Sequence, residues 1–289
     1  MSWWFSSDLS DYFKRVVPFL EEQEAANGLA LGCLLAARKN PPSQSPFLAY
    51  AEEAGQVSAA ALFIERNLVL SHGWKSCVPN LAAGLVTEVE RQGHRLPGVV
   101  GPCEIADEFA QAYSQAEGLH ARVDMNQRIY EIRFKVVPPV PVPFGRYRLM
   151  SRGDFEIVTD WMVAFYEESW PDTLPTEEAV WAQVTSALSD LSYFIWEVDG
   201  APVAMARLTR PTRNGLSVSY VYTSPEHRRK GYASALTAAV TLEAFRRGKI
   251  FCTLYTDAAN PTSNSIYTKL GYRPIAESKH YLFSPTEGT

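Results

Sequence analysis

Cysteine is scarce in this chain. Its four cysteines, Cys33, Cys77, Cys103 and Cys252, stand far apart, with no Cys-x-x-Cys pair and no grouping with any of the five histidines. That spacing argues against a disulfide framework and a zinc site, and separate reduced thiols with no metal are expected. Long apolar runs are missing too: even "GLALGCLLAA" is short, closed by Arg38 and Lys39, where a membrane span needs ~18 residues. The N-terminal "MSWWFSSDLSDYF" has no basic residue ahead of an apolar stretch and carries Asp8 and Asp11. It does not read as a signal peptide, so a cytoplasmic protein without a membrane partner is expected. Positive charge is not in excess, with 27 Lys and Arg against 32 Asp and Glu and a net charge of −5, which argues against a nucleic-acid binder. No Gly-x4-Gly-Lys-Ser/Thr loop, no Gly-x-Gly-x-x-Gly and no Gly-x-Ser-x-Gly occurs, so the nucleotide loops and the serine-hydrolase elbow that these motifs mark are not supported.

What is present points to two domains. A chain of 289 residues, 46% hydrophobic, exceeds what one core usually organises. "VVPPVPVPFG" (136–145) holds four prolines in ten residues, which favours extended backbone and excludes a helix or central strand. It reads as a linker over 138–145, between domains at 1–137 and 146–289. After it, "RYRLM" predicts a strand, and Phe155, Val158, Met162 and Phe165 fall at helical spacing. Thr176 starts a second helix running to about Leu188. "SYFIWEV", "PVAMARL" and "LSVSYVYT" read as strands, the first two joined by Asp199-Gly200, a two-residue hairpin signal. Ala233, Leu236, Val240 and Ala244 give a helical face ending near Gly248. "IFCTLYT" reads as a buried parallel strand, "NPTSNSIYTKLG" as a short helix closed by Gly271, and "YRPI" and "KHYLF" as two final strands. The first domain gives a fainter version of this order: helices between Leu9 and Ala37, strands "FLAY", "AAALFI" and "NLVLS", a helix over about 80–92, a strand at "GVVG", a helix over 104–117 and a strand "RIYEIRFKV". A duplicated α/β fold is predicted.

Between "VYT" and the helix lies "SPEHRRKGYA". A strand, a basic loop with one glycine and a helix starting there make an anion site, because the first N–H groups of a helix are unpaired and lie at the positive end of its dipole. Arg228-Arg229-Lys230-Gly231-Tyr232-Ala233 has the pattern Arg-x-x-Gly-x-Ala. Here the sequence resembles the GNAT superfamily of N-acetyltransferases, whose pyrophosphate loop reads Gln/Arg-x-x-Gly-x-Gly/Ala between a strand and a helix. "YVYTSPEHRRKGYASAL" resembles that whole segment, and "NPTSNSIYTKLGY" resembles the family's later one, with Asn260 and Tyr267 seven apart and Gly271-Tyr272 after them. The resemblance covers about 145–283. It implies a mixed sheet, two tandem GNAT-like domains with the first degenerate and the second binding acetyl-CoA, and transfer of an acetyl or short acyl group to a primary amine. By the same resemblance, Val221, Tyr222 and Thr223 lie along the pantetheine arm, the amides of Arg229 to Ala233 hold the pyrophosphate beside Arg228, Asn260 bonds the pantetheine, and Tyr267 protonates the departing thiolate. A phenol of pKa about 10 can serve as that acid; the other reading of Tyr267 is a core aromatic, and Asn260 also suits a helix N-cap before Pro261.

An alkylammonium must lose a proton before it attacks. Unlike many relatives, this sequence has no carboxylate in "LSVSYVYT", so the base stays open among Glu167, Glu168, Asp257 and a water relay through Ser219. The alternative function is an acyl-CoA-binding regulatory module without turnover. The first half lacks an Arg-x-x-Gly-x-Ala loop, since Pro79 and no Arg-Gly pair follow "NLVLSHGWKSCV", and is expected not to bind CoA. "LPGVVGP" and "YTDAANPTSNSIY" together resemble a group of bacterial predicted acetyltransferases. Neither the acceptor nor the oligomeric state follows from the sequence.

Overall fold

Alternation along small-residue strands divides the first unit into two cores. A computed structural model of the chain describes residues 2–6, 8–64, 66–74 and 79–286. The chain divides into two units, one of Met1–Tyr130, Tyr255–Pro261 and Pro274–Thr289, the other of Glu131–Leu254 and Thr262–Arg273. The first unit holds β1 (Ser2–Ser6), α1 (Leu9–Glu22), α2 (Gly28–Lys39), β2 (Phe47–Glu53), β3 (Gln56–Phe63), β4 (Leu68–Leu70), α3 (Pro79–Arg91), β5 (Gly98–Pro102), α4 (Cys103–Glu117) and most of β6 (Leu119–Arg133). Leu48, Tyr50, Ala60, Leu62, Val69 and Val100 face α1 and α2, while Phe47, Ala49, Ala61, Leu68, Leu70 and Val99 face α3 and α4. Period-two alternation on strands rich in alanine lets both faces be covered. Asp8 caps α1 by accepting from Ser10 N–H at 2.7 Å and Asp11 N–H at 3.2 Å.

The second unit holds β7 (Arg146–Leu149), α5 (Phe155–Ser169), α6 (Glu177–Ser189), β8 (Tyr193–Val198), β9 (Ala201–Thr209), β10 (Gly215–Thr223), α7 (Tyr232–Arg246), the start of β11 (Phe251–Asp257) and most of α8 (Pro261–Leu270). Its strands run in the order β11-β10-β9-β8-β7. The hairpin predicted at Asp199-Gly200 is present, with φ of 49° and 81° and Val198 opposite Ala201. Tyr193, Ile195, Met205 and Tyr222 bury one face of the sheet against α5 and α6, and α7 packs against β8, β9 and β10. Among the described residues no helix is long and apolar enough to cross a membrane.

The predicted order holds except at three strands. β12 (Arg273–Pro285) is one strand where two were expected, and it pairs antiparallel with β5, Ser278 to Leu282 opposite Pro102 to Gly98. The polar residues that suggested a break are satisfied in place: Ser278 Oγ donates to Gly101 C=O at 2.8 Å, and Arg128 bonds Glu277 at 3.0 Å. The first unit's strands thus run β1-β2-β3-β4-β5-β12-β6. β6 begins well before "RIYEIRFKV" and ends at Arg133, because Phe134 takes φ 66°. β1, with no counterpart in the sequence reading, pairs antiparallel with β2. Residues 75–78, where the first half's loop was sought and where Cys77 falls, lie outside the described residues. Cys103 and Cys252 are free thiols.

The start of α5 is fixed by a buried carboxylate. Asp154, 4% exposed, accepts from Ser151 N–H (2.8 Å), Ser151 Oγ (2.7 Å) and both terminal nitrogens of Arg148 (2.7 and 2.8 Å). Burial alone would raise its pKa, but the Arg148 guanidinium and the Ser151 donors outweigh it and hold the carboxyl at about 2, below its ordinary 3.8. The depressed value means that its stabilisation is complete above about pH 4 and is lost as pH falls toward 2. Asp154→Asn should therefore lower stability at pH 7 by ~2 kcal/mol, with the gap to the wild type narrowing between pH 4 and 2 in urea unfolding; a gap independent of pH would contradict this.

Candidate active site

Local features shape the two edges of β10 differently. Gly215 starts the strand where a Cβ would lie 2.1 Å from the Phe251 ring, so only glycine allows this approach to β11. The parallel pairing that follows is brief, Gly215 to Ser217 opposite Phe251 to Thr253. On the other edge, pairing with β9 jumps between Ser219 and Tyr222, a bulge that puts Tyr220 at φ 53°. Among the described residues, β10 from Ser219 to Thr223 therefore has no strand partner on its β11 side. Thr223 Oγ1 and, in α7, Thr237 Oγ1 are buried without a hydrogen-bond partner, a cost of about 1–3 kcal/mol each that functional sites tolerate. At the bulge, Tyr220 gathers a cluster of rings: Phe165 at 5.5 Å and Tyr166 at 6.1 Å, with Trp170 5.7 Å from Phe165.

The loop from β10 to α7 is braced from within. Ser224 N–H donates to Val203 C=O (3.3 Å), and a 3-10 turn at Pro225–His227 follows. Arg228 then ties the loop down three ways. Its Nε donates to Thr223 C=O at 2.9 Å, its guanidinium pairs with Glu168 of α5 at 2.6 Å, and it stacks 5.4 Å above the Tyr222 ring. Beyond it the backbone turns left-handed at Arg229 (φ 63°) and again at Gly231 (φ 84°). No side chain caps α7, and its first backbone bond runs from Ala235 N–H to Gly231 C=O at 3.1 Å. The N–H groups of Tyr232, Ala233 and Ser234 thus have no acceptor within the helix and lie at the positive end of its dipole. Arg229, Lys230 and Gly231 are exposed, so this run of amides is open to an anion.

Not every candidate residue offers its side chain here. Tyr222 is buried with its ring 6.1 Å from Trp161, leaving only its backbone for a ligand on β10. Tyr267, in α8, is 9% exposed, packs 6.2 Å from Tyr272 and is hydrogen-bonded by Ser263 one turn earlier. Burial pushes its pKa up to about 12 against the opposing Ser263 bond. Asn260 closes the turn after β11, its N–H donating to Asp257 C=O at 3.1 Å, directly before Pro261. Of the candidate bases, Glu168 holds Arg228, Asp257 Oδ1 accepts from Ala259 N–H at 2.8 Å, Ser219 Oγ bonds Thr209 Oγ1 at 2.8 Å, and Glu167 is exposed. The Arg228–Glu168 brace and the ring cluster went unforeseen, since their members meet only through packing of α5 on β10.

Strand, braced basic loop and uncapped helix, in this order on a mixed sheet, give the second half a place open to an anion. Its family follows from comparison, because residues 155–272 match the acetyltransferase (GNAT) family, and the chain carries a GNAT acetyltransferase domain over them. Several solved structures share the fold along nearly the whole chain. A Drosophila protein has a TM-score of 0.67 at 14% identity, covering 98% of each chain. A GCN5-related N-acetyltransferase from Sphaerobacter thermophilus has a TM-score of 0.63 at 18% identity, covering 96% of this chain and 94% of its own. A tandem GNAT protein from the clavulanic acid biosynthesis pathway has a TM-score of 0.56 at 13% identity and covers all of both chains. At such identities the likeness speaks for the tandem fold alone. No curated protein matches the chain.

Space is open at Gly231, where a Cβ would meet nothing closer than Pro143 Cγ at 3.9 Å, so its φ of 84° is what demands glycine. Gly231→Ala should destabilise the protein by about 1 kcal/mol through backbone strain alone, measurable by thermal unfolding; an unchanged or raised melting temperature would contradict the left-handed turn.

Proposed function

We propose that the second half transfers an acetyl or other short acyl group from acetyl-CoA to a primary amine of a small molecule or peptide, by direct attack of the amine on the thioester. The left-handed turn through Arg229 and Gly231 into the uncapped start of α7 carries this reading, because it presents amides that a pyrophosphate can take together. Amides from Arg229 to Ala233 would hold the pyrophosphate. The partnerless edge of β10 at Val221 and Thr223 would receive the peptide-like arm as an added strand. Arg228, engaged by Thr223, Glu168 and Tyr222, serves to hold the loop in shape.

The acyl thioester supplies the electrophile and a thiolate leaving group. Tyr267 is the proton donor to that thiolate: a pKa near 12 keeps it protonated at every working pH. β10 carries no carboxylate, and Glu168 and Ser219 are already bonded, so the amine is neutralised mainly by desolvation among Phe165, Tyr166, Trp170 and Tyr220. Neutralising an amine of pKa about 10.4 at pH 7 takes about 4–5 kcal/mol. The first half, residues 1–137, is read as a degenerate copy that binds no CoA. The protein works beside acyl-CoA in the cytoplasm, which suits the free thiols of Cys103 and Cys252.

A second reading, an acyl-CoA sensor without turnover, draws on the burial of Tyr267 and the absent carboxylate. Free thiol release from acetyl-CoA over a panel of primary amines separates the two: acetyl transfer is expected for at least one amine class, and binding without release for every amine would leave the sensor. With a productive amine, Tyr267→Phe should lower kcat by about tenfold to a hundredfold, the low end of general-acid effects, and leave CoA affinity within about threefold. Equal kcat values would return Tyr267 to the core.

The pH dependence follows in sign. kcat/KM should rise with pH as the ammonium loses its proton, with no falling limb below about pH 11, because Tyr267 keeps its proton to about pH 12. A bell-shaped profile with a falling limb near pH 8 or 9 would point to another acid.

A further inference from the structure

The proline-rich stretch 136–145 runs without helix or strand, yet both of its ends are fastened inside the second unit. Val137 N–H donates to Leu270 C=O at the end of α8 (2.9 Å), and Gly271 approaches so closely that a Cβ there would lie 2.9 Å from Lys135 C=O. At the far end Trp196 Nε1 donates to Phe144 C=O (3.2 Å), and a Cβ on Gly145 would lie 2.5 Å from both Glu197 C=O and Trp196 Nε1. Between these anchors the segment passes the basic loop, with Pro143 Cγ 3.9 Å from the Cβ position of Gly231. It also bares its apolar side chains: Val140 is 93% exposed, Val142 60% and Phe144 72%.

We propose that this strap is a wall of the acyl-CoA site, with Val142 and Phe144 contacting the nucleotide end of the ligand beside the Arg229–Gly231 turn. The proposal rests on the acyl-CoA reading above. If the pantetheine arm follows β10 and the pyrophosphate sits on the amides of the turn, the nucleotide emerges on the exposed outer side of Gly231, where the strap runs. A cationic turn flanked by apolar side chains fits a ligand that joins phosphates to a flat, weakly polar base, and a lone phosphate would gain nothing from the valines and the phenylalanine. The prolines fix the backbone beforehand, so little conformational entropy is lost when the ligand docks.

The test is calorimetric titration of the full-length protein and its Val142→Ser and Phe144→Ser variants with CoA and with 3′,5′-ADP, the nucleotide half alone. Phe144 bonds Trp196 through its backbone and both side chains are exposed, so the variants should melt with the wild type. Each should weaken both ligands by a similar factor, about fivefold to twentyfold, the scale expected for removing one large apolar contact. Unchanged CoA affinity in both variants overturns the proposal, as does weakened CoA with unchanged 3′,5′-ADP, which would move the contact off the nucleotide. Concentration-dependent self-association that Phe144→Ser abolishes, with CoA affinity intact, would give the strap to a second copy of the chain. A wild type that binds no CoA removes the acyl-CoA reading and the strap's role with it, an outcome distinct from the others.

Discussion

Unpaired amides at the start of α7 are the constraint around which the second unit is arranged. A helix end without a cap leaves its first donors to water or to a ligand, and here Gly231, at φ 84°, offers no side chain to take them. Two residues of this turn, Arg229 and Gly231, take left-handed backbone, a conformation common in anion-binding turns. The surroundings keep that geometry fixed. Arg228 closes the loop on Thr223 and anchors it to Glu168 of α5, and α5 is in turn held by the buried Asp154 pair with Arg148. A cationic side chain next to the turn is thus engaged within the protein, by Thr223, Glu168 and Tyr222.

The same economy governs β10. The close approach of Gly215 to Phe251 lets the strand begin parallel to β11, that pairing stops after Ser217, and on the other edge a bulge before Tyr222 interrupts the pairing with β9. An edge without a strand partner on the β11 side, an orphaned Thr223 hydroxyl and a ring cluster around Tyr220 then lie within a few residues of the Arg229–Gly231 turn. In the proposed reading, backbone at one end and apolar rings at the other would divide the work, since amides suit phosphates and rings strip water from an amine.

Much of this was legible in the sequence. The strand-loop-helix segment around Arg228 to Ala233 declares itself because proline, bases and glycine interrupt two clean periodicities, and Asp199-Gly200 specified its hairpin. Other features depend on distant contacts that no local pattern encodes. Arg228 and Glu168 meet only when α5 packs on β10. Tyr222 looked like a ligand neighbour, but its side chain is in the core, a consequence of a bulge that period-two reading cannot see. β12 was divided at Glu277 and Ser278 because their partners, Arg128 and Gly101, come from the other half of the sequence. The prolines of 136–145 announced irregular backbone, and that backbone lies inside the second unit, while the approach of Pro143 to Gly231 had no sequence signal at all.

The central claim is that the backbone of the Arg229–Gly231 turn holds the pyrophosphate of the acyl donor. Calorimetric titration of CoA into the wild type and Gly231→Asp tests it most directly, with unfolding curves to confirm that the variant is folded. A carboxylate at this position would sit beside the amides and repel phosphate, so affinity should fall at least tenfold, about 1.4 kcal/mol or more. A folded variant that binds CoA as tightly as the wild type would contradict the account.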